Sequence, residues 1–370
     1  MKVAIVYDRV NKWGGAERVL LALHEIFPEA PLYASVYDAK KAPWAKVFPE
    51  VVASFLQKFP LAKSNHEFLA PLMPLAFESF DFSGFDLVIS VTSEAAKGIR
   101  TGPGTLHICY LLTPTRYLWS GKNFYFKNPP SKFGFIPFFG FLSKPFVKYL
   151  RGWDINASER PDKIVAISTA VKNRIQKYYK RESEIIFPPV EMTFSDSSEL
   201  KRQRKRNYYL IVNRLIPYKK VDLAIRAFNK LEYPLYIVGS GSEEAKLKRI
   251  AGSNIKFFGQ VDDKKLRKLY SGAKALIMPQ EEDFGIVAAE AQSAGVPVIA
   301  YKKGGALDTV TPGITGVLFD KQESESLVNA VKKFEKMKFD HKNLTENAKR
   351  FSKERFKKEF VDFVKNARIS

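Results

Sequence analysis

Two basic residues, Arg214 and Lys219, have the types and spacing that suit a phosphorylated ligand. They follow the apolar run Tyr209–Val212, so a parallel strand would present them at its carboxyl end, which is where open α/β sheets bind ligands. Arginine offers a bidentate fork and lysine a point charge, a combination suited to a diphosphate. The next predicted strand ends at Gly239, whose turn would lie at the same edge. Exposed basic residues in a loop are the alternative explanation.

Two carboxylates lie eight residues apart further along the chain, Glu282 at the entry of a predicted helix and Glu290 within it. Eight helical residues rise about 12 Å, a gap that a nucleotide sugar spans. Its phosphates would lie near the amides at the helix start, and each carboxylate would take hydroxyls at one end. An acidic first turn that only caps the helix is the alternative for Glu282. Capping does not explain Glu290, which is flanked by alanines.

A Gly14-Gly15 turn follows the first apolar run, Val3–Tyr7, and precedes a helical pattern. Glycines at a strand-to-helix turn let a backbone approach a ligand, and the free amides of the helix offer an anion site. The Gly-x-Gly-x-x-Gly fingerprint of dinucleotide-binding proteins is absent here. A plain helix entry therefore also explains this turn.

Short apolar runs, most of them followed by helical segments, recur along both halves of the chain. This alternation predicts an α/β protein with two Rossmann-like domains, each a parallel, doubly wound sheet. We place the domains at 1–189 and 190–352, with a linker near the polar, basic stretch that follows Pro189. The remaining predicted strands are Leu87–Ser90, Leu106–Tyr110, Ile164–Ile167, Leu235–Val238, Ile255–Phe258, Ala275–Met278 and Val296–Ala300.

Length and composition agree with a two-domain globular protein. The chain has 370 residues, 45% of them hydrophobic and 27% charged, which excludes a fibrous or wholly disordered chain. The one cysteine, Cys109, allows no internal disulfide and no cysteine-based metal site, and a reducing cytoplasm is expected. The apolar run at the start is too short for a signal peptide or a membrane span.

The net charge of +21 favours a polyanionic partner. Segment 121–153 interleaves phenylalanines with lysines, which suits an anionic membrane surface, although a helical hairpin with a phenylalanine core would show the same pattern. The basic run 201–206 fits a nuclear-localisation or nucleic-acid patch, although a solvated linker or helix face more commonly explains such a run. No aromatic pattern typical of RNA-binding motifs is present, so no nucleic-acid partner is expected.

Four motifs in order resemble the retaining glycosyltransferases of family four, which have the GT-B fold, and the resemblance covers essentially the whole chain. Within that family, the stretches Cys109–Trp119 and Phe187–Val190 resemble the branch that holds bacterial O-antigen mannosyltransferases. The motifs are Gly14-Gly15-Ala-Glu-Arg, Arg214 with Lys219, Glu282-Asp-Phe-Gly with Glu290-Ala, and Gly304-Gly305-x-x-Asp308.

The resemblance implies a hexosyltransferase of polysaccharide biosynthesis that moves mannose from GDP-mannose to a glycan or polyprenol-linked acceptor with retained configuration. Arg214 and Lys219 would hold the donor diphosphate, Glu282 the transferred sugar and Glu290 the ribose; Gly15 would approach the phosphate from the other domain. Catalysis would rest on Glu282, Arg214 and Lys219, with no cofactor and no metal. Further donor contacts are expected at Gly239, Phe284, Gly285 and Ile286, and acceptor contacts at Arg116 and Tyr117.

The resemblance also implies a final helix, 353–370, that packs back on the N-terminal domain, and a cytoplasmic protein with a peripheral position on the inner membrane face. One departure is Leu112, where the branch has a histidine; another is Asp308, where glutamate is more usual. Because leucine neither donates a hydrogen bond nor moves a proton, Leu112 leaves open a nucleotide-sugar-binding protein without catalysis. A sugar-nucleotide epimerase on the same fold is the other alternative.

Overall fold

The chain forms two compact units in a computed structural model that describes residues 1–60, 62–63, 66–121, 144–192 and 206–369. The first unit combines Met1–Phe187 with Lys357–Ser370, and the second unit is Pro188–Phe356. Most of the phenylalanine-lysine segment, 122–143, and most of the basic run near residue 200 lie outside the described residues.

The described part of the first unit contains a seven-stranded parallel sheet with the strand order β3-β2-β1-β4-β5-β6-β7. Every residue of its central strands β1 and β4 is buried. These strands are continuous apolar runs because helices and loops cover both faces of the sheet. The strands are β1 Val3–Tyr7, β2 Leu32–Ala34, β3 Val51–Ala53, β4 Leu87–Thr92, β5 Leu106–Leu111, β6 Lys163–Ala166 and β7 Glu184–Ile185.

Helices connect these strands and turn their apolar sides to the sheet. The described α-helices of this unit are Gly15–Ile26, Met73–Glu78, Lys144–Ser158 and Thr169–Tyr179, with 3-10 turns at Pro43–Val47, Phe55–Lys58, His66–Leu72 and Ala96–Gly98. The last helix of the chain, Lys353–Ile369, belongs to this unit from Lys357 onward. Its Phe360 is buried with the ring centroid 6.3 Å from that of Tyr110, and Lys357 Nζ lies 3.1 Å from a carboxylate oxygen of Glu25.

The second unit repeats the plan with a six-stranded parallel sheet in the order β10-β9-β8-β11-β12-β13. Its strands are β8 Tyr208–Val212, β9 Leu235–Val238, β10 Ile255–Phe257, β11 Ala273–Met278, β12 Val298–Tyr301 and β13 Gly316–Phe319. Its helices are Val221–Leu231, Glu244–Ile250, Asp263–Ser271, Ile286–Ser293, Ala306–Thr309, Ser324–Glu335 and His341–Lys349, with a 3-10 turn at Pro217–Lys219. The predicted fold class, two Rossmann-like parallel sheets, is confirmed.

Each sheet has one place where the strand order reverses direction. In the first unit this switch point lies between β1 and β4, and in the second between β8 and β11. The loops that leave two such neighbouring strands at their carboxyl ends run in opposite directions, which opens a crevice for ligands. The residues that follow these four strands are therefore the ones that the fold places for binding.

The division between the units falls between Phe187 and Pro188, and again between Phe356 and Lys357. The chain at Val190 pairs with the second unit because its amide donates to the Phe351 carbonyl at 2.8 Å and it forms a parallel bridge with Ser352. Among the described residues we find no helix with the length and apolar character that crossing a bilayer requires.

Candidate functional site

An ion pair between Lys219 and Glu282 lies at the switch point of the second unit. Lys219 ends the 3-10 turn after β8, and Glu282 follows β11 by four residues. Both side chains are largely buried, at 10% and 16% exposure. Gln280, itself fully buried, donates a 2.8 Å hydrogen bond to the same carboxylate. The structure thus brings together two residues that the sequence had assigned to one site from separate motifs.

A glycine pair in the loop after β12 holds Glu282 in place. Gly304 forms a parallel bridge with Glu282, and the amide of Gly305 donates to the Glu282 carbonyl at 2.8 Å. Gly304 has a φ of +65°, and a Cβ there would overlap that same carbonyl; a Cβ on Gly305 would overlap the backbone of Phe284. Only glycine lets the two loops approach so closely, which explains the Gly304-Gly305 motif in physical terms.

Tyr218 contacts both Arg214 and Lys219. The Arg214 guanidinium donates to the Tyr218 hydroxyl at 2.8 Å, and Lys219 Nζ lies 5.1 Å from the centroid of the Tyr218 ring. Arg214 is exposed whereas Lys219 is buried. Gly239, after β9, has a φ of +124°, and a Cβ there would overlap the Asn213 carbonyl. The loops after β8 and β9 are therefore packed together at one edge.

The helix Ile286–Ser293 begins directly after Phe284 and Gly285. Gly285 precedes the helix with a φ of +90°, a conformation that disfavours other residues. Phe284 is buried, with its ring centroid 5.3 Å from that of Phe351. Because the first amides of a helix lack partners within it, this start can bind an anion. Ile286 is its first residue.

Glu290 is buried within this helix at 3% exposure. The hydroxyl of Tyr270, on the helix Asp263–Ser271, donates to a carboxylate oxygen of Glu290 at 3.2 Å. A buried carboxylate requires hydrogen-bond donors, and this one receives a donor from a fully buried tyrosine. The Tyr270 hydroxyl therefore restricts the orientation of the Glu290 carboxylate.

The glycine turn of the first unit starts the helix Gly15–Ile26, with Gly14 as its extended cap. Glu17, in the first turn of that helix, is buried and accepts a 2.9 Å hydrogen bond from the Tyr7 hydroxyl. Burial and the charge of Glu17 raise the pKa of Tyr7 well above its ordinary value. The tyrosine is therefore a hydrogen-bond donor at neutral pH.

Arg116 and Tyr117 lie in the loop after β5, and a buried aspartate anchors this loop. Asp154 accepts from Thr115 Oγ1 at 2.8 Å and from Trp119 Nε1 at 2.7 Å, so both sides of the Arg116-Tyr117 pair are tied down. Burial, together with the carboxylates of Glu94 and Asp154, raises the pKa of Tyr117 well above its ordinary value.

Leu112 is half-buried directly after β5, and its amide donates to the Thr92 carbonyl at 2.8 Å. His107 does not replace the histidine of the family, because it is fully buried within β5 with Nε2 2.8 Å from Ser90 Oγ. Burial lowers the pKa of His107 to about 3, and the charges of Arg160 and Arg181 add to this effect. Burial likewise raises the pKa of Cys109 to about 12, so that thiol is not a nucleophile.

Sequence reasoning missed the polar residues that follow β1 and β4, namely Asp8, Arg9 and Glu94, and it missed Asp154. Arg9 pairs with Glu94, and Lys97 Nζ lies 2.6 Å from Asp154 with both side chains 1% exposed. A charged residue within two positions of the end of an apolar strand is a signal for the first three. Asp154 carries no such signal, because it lies inside a helix.

The described residues contain no group of three or more His, Cys, Asp and Glu side chains arranged to hold a metal ion. The second unit instead offers a largely buried cation, a carboxylate beside it, an exposed arginine and a helix start, all close to one sheet edge. Such a set can bind a diphosphate through the cations and hydroxyls through the carboxylates.

Residues 193–351 match the family model described as Glycosyl transferases group 1. Over 202 residues the chain is 27% identical to an uncharacterized glycosyltransferase, MJ1178, of Methanocaldococcus jannaschii, a match that covers 53% of this chain and 56% of the relative.

Over 131 residues the chain is 36% identical to a Corynebacterium glutamicum enzyme named GDP-mannose-dependent monoacylated alpha-(1-6)-phosphatidylinositol monomannoside mannosyltransferase. That match covers 31% of this chain and 34% of the relative. The chain thus spans about half, or less, of the curated relatives it matches.

A solved structure, Anabaena Alr3699/HepE in complex with UDP, superposes with a TM-score of 0.71 at 19% identity and covers 99% of this chain and 100% of its own. This likeness shows the fold. The second unit therefore matches the Glycosyl transferases group 1 domain, and the chain has the two-sheet GT-B fold of glycosyltransferases.

Proposed function

We propose that this protein is a retaining glycosyltransferase that moves a hexose, mannose from GDP-mannose, to a hydroxyl of a glycan or polyprenol-linked acceptor in polysaccharide biosynthesis. The observation that carries the proposal is the Lys219–Glu282 pair at the switch point of the second sheet. It places a cation for phosphate beside a carboxylate for sugar hydroxyls, in the part of the chain that matches the family model.

Lys219 and Arg214 are assigned to the donor diphosphate. A lysine ammonium has three N–H donors, so its pairing with Glu282 leaves capacity for phosphate oxygens. Arg214 adds a planar fork on the exposed side. As the bond to the sugar breaks, negative charge develops on the diphosphate, and two fixed cations stabilise it electrostatically. We propose that this makes the reaction independent of metal and cofactor.

Glu282 is assigned to the transferred sugar and Glu290 to the ribose. Both carboxylates accept a hydrogen bond from a neighbouring donor, Gln280 for Glu282 and Tyr270 for Glu290. The start of the helix Ile286–Ser293 supplies amides for the phosphates. Gly239 lets the loop after β9 lie close to this edge.

Mannose from GDP-mannose is proposed because the Corynebacterium relative is named a GDP-mannose-dependent mannosyltransferase. The Anabaena structure contains UDP, so uridine donors form the competing set. Leu112 favours a second candidate, a nucleotide-sugar-binding protein without transfer, since it removes a polar side chain beside Thr113.

The test is incubation of purified protein with GDP-mannose, UDP-glucose or UDP-galactose and a mixture of lipid-linked glycan acceptors, with the released nucleotide and the new glycoside measured. We expect GDP release with an α-mannoside as product, and loss of both in Glu282→Gln. Glu281→Gln, which changes the adjacent exposed carboxylate, is the matched control.

A β-mannoside product would contradict retention, and turnover of a uridine donor alone would contradict GDP-mannose. Donor binding without nucleotide release, with every acceptor, would favour the binding protein.

We also propose a cytoplasmic location at the inner face of the membrane. The net charge of +21 and the exposed side chains of Phe146, Lys148 and Tyr149 on one described helix support an anionic membrane surface as a partner. The alternating phenylalanines and lysines at 122–143 lie outside the described residues.

A further inference from the structure

One carboxylate oxygen of Glu282 receives two donors. Lys219 Nζ pairs with Oε1 of Glu282, and Gln280 Nε2 donates to the same oxygen at 2.8 Å. One of these donors carries a full charge and the other is neutral. Because both donors lie on Oε1, the second oxygen, Oε2, is left as the acceptor for a ligand hydroxyl.

The Gln280 side chain makes one hydrogen bond among the described residues, the one to Glu282. It is fully buried, yet its carbonyl oxygen has no hydrogen-bond partner in this part of the chain. Gln292, which is also fully buried, donates to the Thr309 carbonyl at 2.8 Å and accepts from Asn347 at 2.6 Å. Gln292 therefore links two segments of the fold, whereas the amide of Gln280 serves Glu282.

A buried amide that satisfies only one of its ends costs free energy that an apolar side chain of the same length would not cost. Packing alone therefore does not explain a glutamine at position 280. Its orientation follows from its neighbour, because a carboxylate accepts hydrogen bonds and the amide must turn its N–H groups toward it. The N–H donor is thus the part of Gln280 that the site uses.

The backbone on both sides of Gln280 is tied to other loops. Gln322 Nε2 donates to the Pro279 carbonyl at 2.9 Å, and the Gly305 amide donates to the Glu282 carbonyl at 2.8 Å. Gln280 itself follows β11 by two residues. The fold therefore presents this donor in a fixed place before any ligand binds, as the support of a binding residue requires.

Lys219 is the more mobile donor of the two. Its ammonium sits on a flexible four-carbon stem and has three N–H donors. A diphosphate in the crevice attracts this cation and competes with Glu282 for it. The neutral, buried amide of Gln280 has no charge through which the phosphates could draw it away. Gln280 is therefore the donor that stays on Glu282 when an anionic ligand is present.

We propose that Gln280 is a positioning residue for recognition of the transferred sugar. Its N–H holds the Glu282 carboxylate, with Oε2 available for a hydroxyl of the hexose, while Lys219 serves the donor diphosphate. The inference rests on the proposed function and names the residue that sets how strongly Glu282 recognises the sugar part of the donor. Gln280 acts through Glu282 and has no assigned contact with the nucleoside or the phosphates.

The test compares the affinities of GDP and GDP-mannose for the full chain, measured by calorimetry without an acceptor. The quantity of interest is the affinity for GDP-mannose divided by the affinity for GDP, which isolates the sugar. Gln280→Met keeps the length of the side chain but removes the donor. It should lower this ratio about fivefold or more, because Glu282 loses a hydrogen bond that fixes it. GDP affinity should change far less.

Gln292→Met is the matched control. It removes the other fully buried amide, whose two hydrogen bonds both lie within the fold. This variant should unfold at a lower temperature than the wild type but keep the wild-type affinity ratio. Thermal unfolding of each variant, followed by circular dichroism, shows that the binding measurements are made on folded protein.

Gln280→Glu gives a second readout that packing alone does not move. Two neighbouring carboxyl groups compete for one proton, which raises the pKa of one of them. At about pH 6 the protonated group can donate to Glu282 as the amide does, whereas at about pH 8.5 both are ionised and repel each other. Relative to the wild type at the same pH, the affinity ratio should be nearly normal at the lower pH and reduced at the higher pH.

A wild-type ratio in folded Gln280→Met overturns the inference, and so does an equal loss in Gln280→Met and Gln292→Met. If Gln280→Met does not fold, a ratio in Gln280→Glu that does not change with pH overturns it. If the wild type binds UDP-glucose and not GDP-mannose, the same ratio is measured with UDP-glucose and UDP. A wild type that binds neither nucleotide sugar overturns the proposed function and this inference with it, whereas the other outcomes overturn the inference alone.

Discussion

The side chain of Lys219 pairs with that of Glu282 across 63 residues of sequence, at the point where the second sheet reverses its strand order. Charged side chains can be largely buried when two of opposite sign pair with each other and form hydrogen bonds. Here Gln280 completes the arrangement by donating to the same carboxylate at 2.8 Å. The pair thus holds the Lys219 side chain at the switch point of the second sheet.

Removing either cation should weaken diphosphate binding. Lys219→Met and Arg214→Ala should each cost about 1.5–3 kcal/mol of GDP affinity, since each loses a charge-assisted hydrogen bond. Guanosine, which lacks phosphates, should bind as before. Calorimetry measures both ligands, and Lys248→Met, at an exposed position paired with Glu244, is the control. Wild-type GDP affinity in both variants would mean that this loop does not contact the diphosphate.

Glu290→Gln should remove ribose recognition. A carboxylate accepts from both ribose hydroxyls, whereas an amide has one acceptor and two donors. The wild type should bind GDP more tightly than 2′-deoxy-GDP. This difference in affinity, the gap between the two ligands, should be smaller in the variant. Tyr270→Phe, which removes the hydroxyl that fixes Glu290, should narrow the gap less. An unchanged gap in Glu290→Gln would argue against a ribose contact.

The buried Lys97–Asp154 pair should dominate the stability of the first unit. Lys97→Met or Asp154→Leu leaves a buried charge without its partner and should cost about 3–5 kcal/mol of unfolding free energy. The double variant should cost clearly less than the sum, which a double-mutant cycle in urea measures. Lys230→Met breaks an exposed pair with Glu325 and should change the unfolding free energy far less, because solvent screens exposed charges. Additive losses at Lys97 and Asp154 would contradict the coupling.

His107 should make the first unit less stable in mild acid. Burial lowers its pKa to about 3 in the folded protein, whereas an unfolded histidine has a pKa of about 6.5. Between these values the unfolded state binds the extra proton, so this contribution to stability is complete above pH 6.5 and is lost as the pH falls. From pH 7 to pH 5 the loss is about 2 kcal/mol.

Urea titrations of the wild type and His107→Gln at both pH values measure this loss. The glutamine keeps a polar group near Ser90 but does not titrate, so the pH dependence should be smaller in the variant. Equal pH dependence in the two proteins would mean that His107 is protonated normally in the folded state.

Binding to acidic vesicles should depend on the lysines of segment 121–153. Each lysine near an anionic surface contributes about 1 kcal/mol, so changing Lys122, Lys127, Lys132 and Lys144 to Gln should remove about 4 kcal/mol at most and abolish sedimentation with phosphatidylglycerol vesicles. Phosphatidylcholine vesicles should bind neither protein. A variant with glutamine at four exposed lysines of the second unit has the same net charge and should still bind; those positions are Lys248, Lys336, Lys338 and Lys342.

Loss of sedimentation in both quadruple variants would assign the effect to net charge alone. Wild-type sedimentation of the first variant would show that this segment is not the membrane contact.

The amino-acid sequence by itself predicts the buried strands that have a clear apolar run. The apolar runs Val3–Tyr7 and Leu235–Val238 form strands at the bounds that the sequence predicts, because a strand that is buried on both faces leaves a continuous apolar run. The strands Leu32–Ala34 and Val51–Ala53 were missed because a run of three residues carries too little pattern.

The pairing of side chains that lie far apart in the sequence could be seen only in the tertiary structure. The motifs that contain Lys219 and Glu282 are visible in the sequence, but their pairing follows from the strand order, which puts β8 next to β11. In the sequence, Lys97 and Asp154 look like ordinary solvent-exposed charged residues. Only the tertiary structure, which pairs them across 57 residues, explains why both are buried. Arg9 and Glu94 came together for the same reason as Lys219 and Glu282, since parallel strands that neighbour each other at a switch point bring their following loops to one edge.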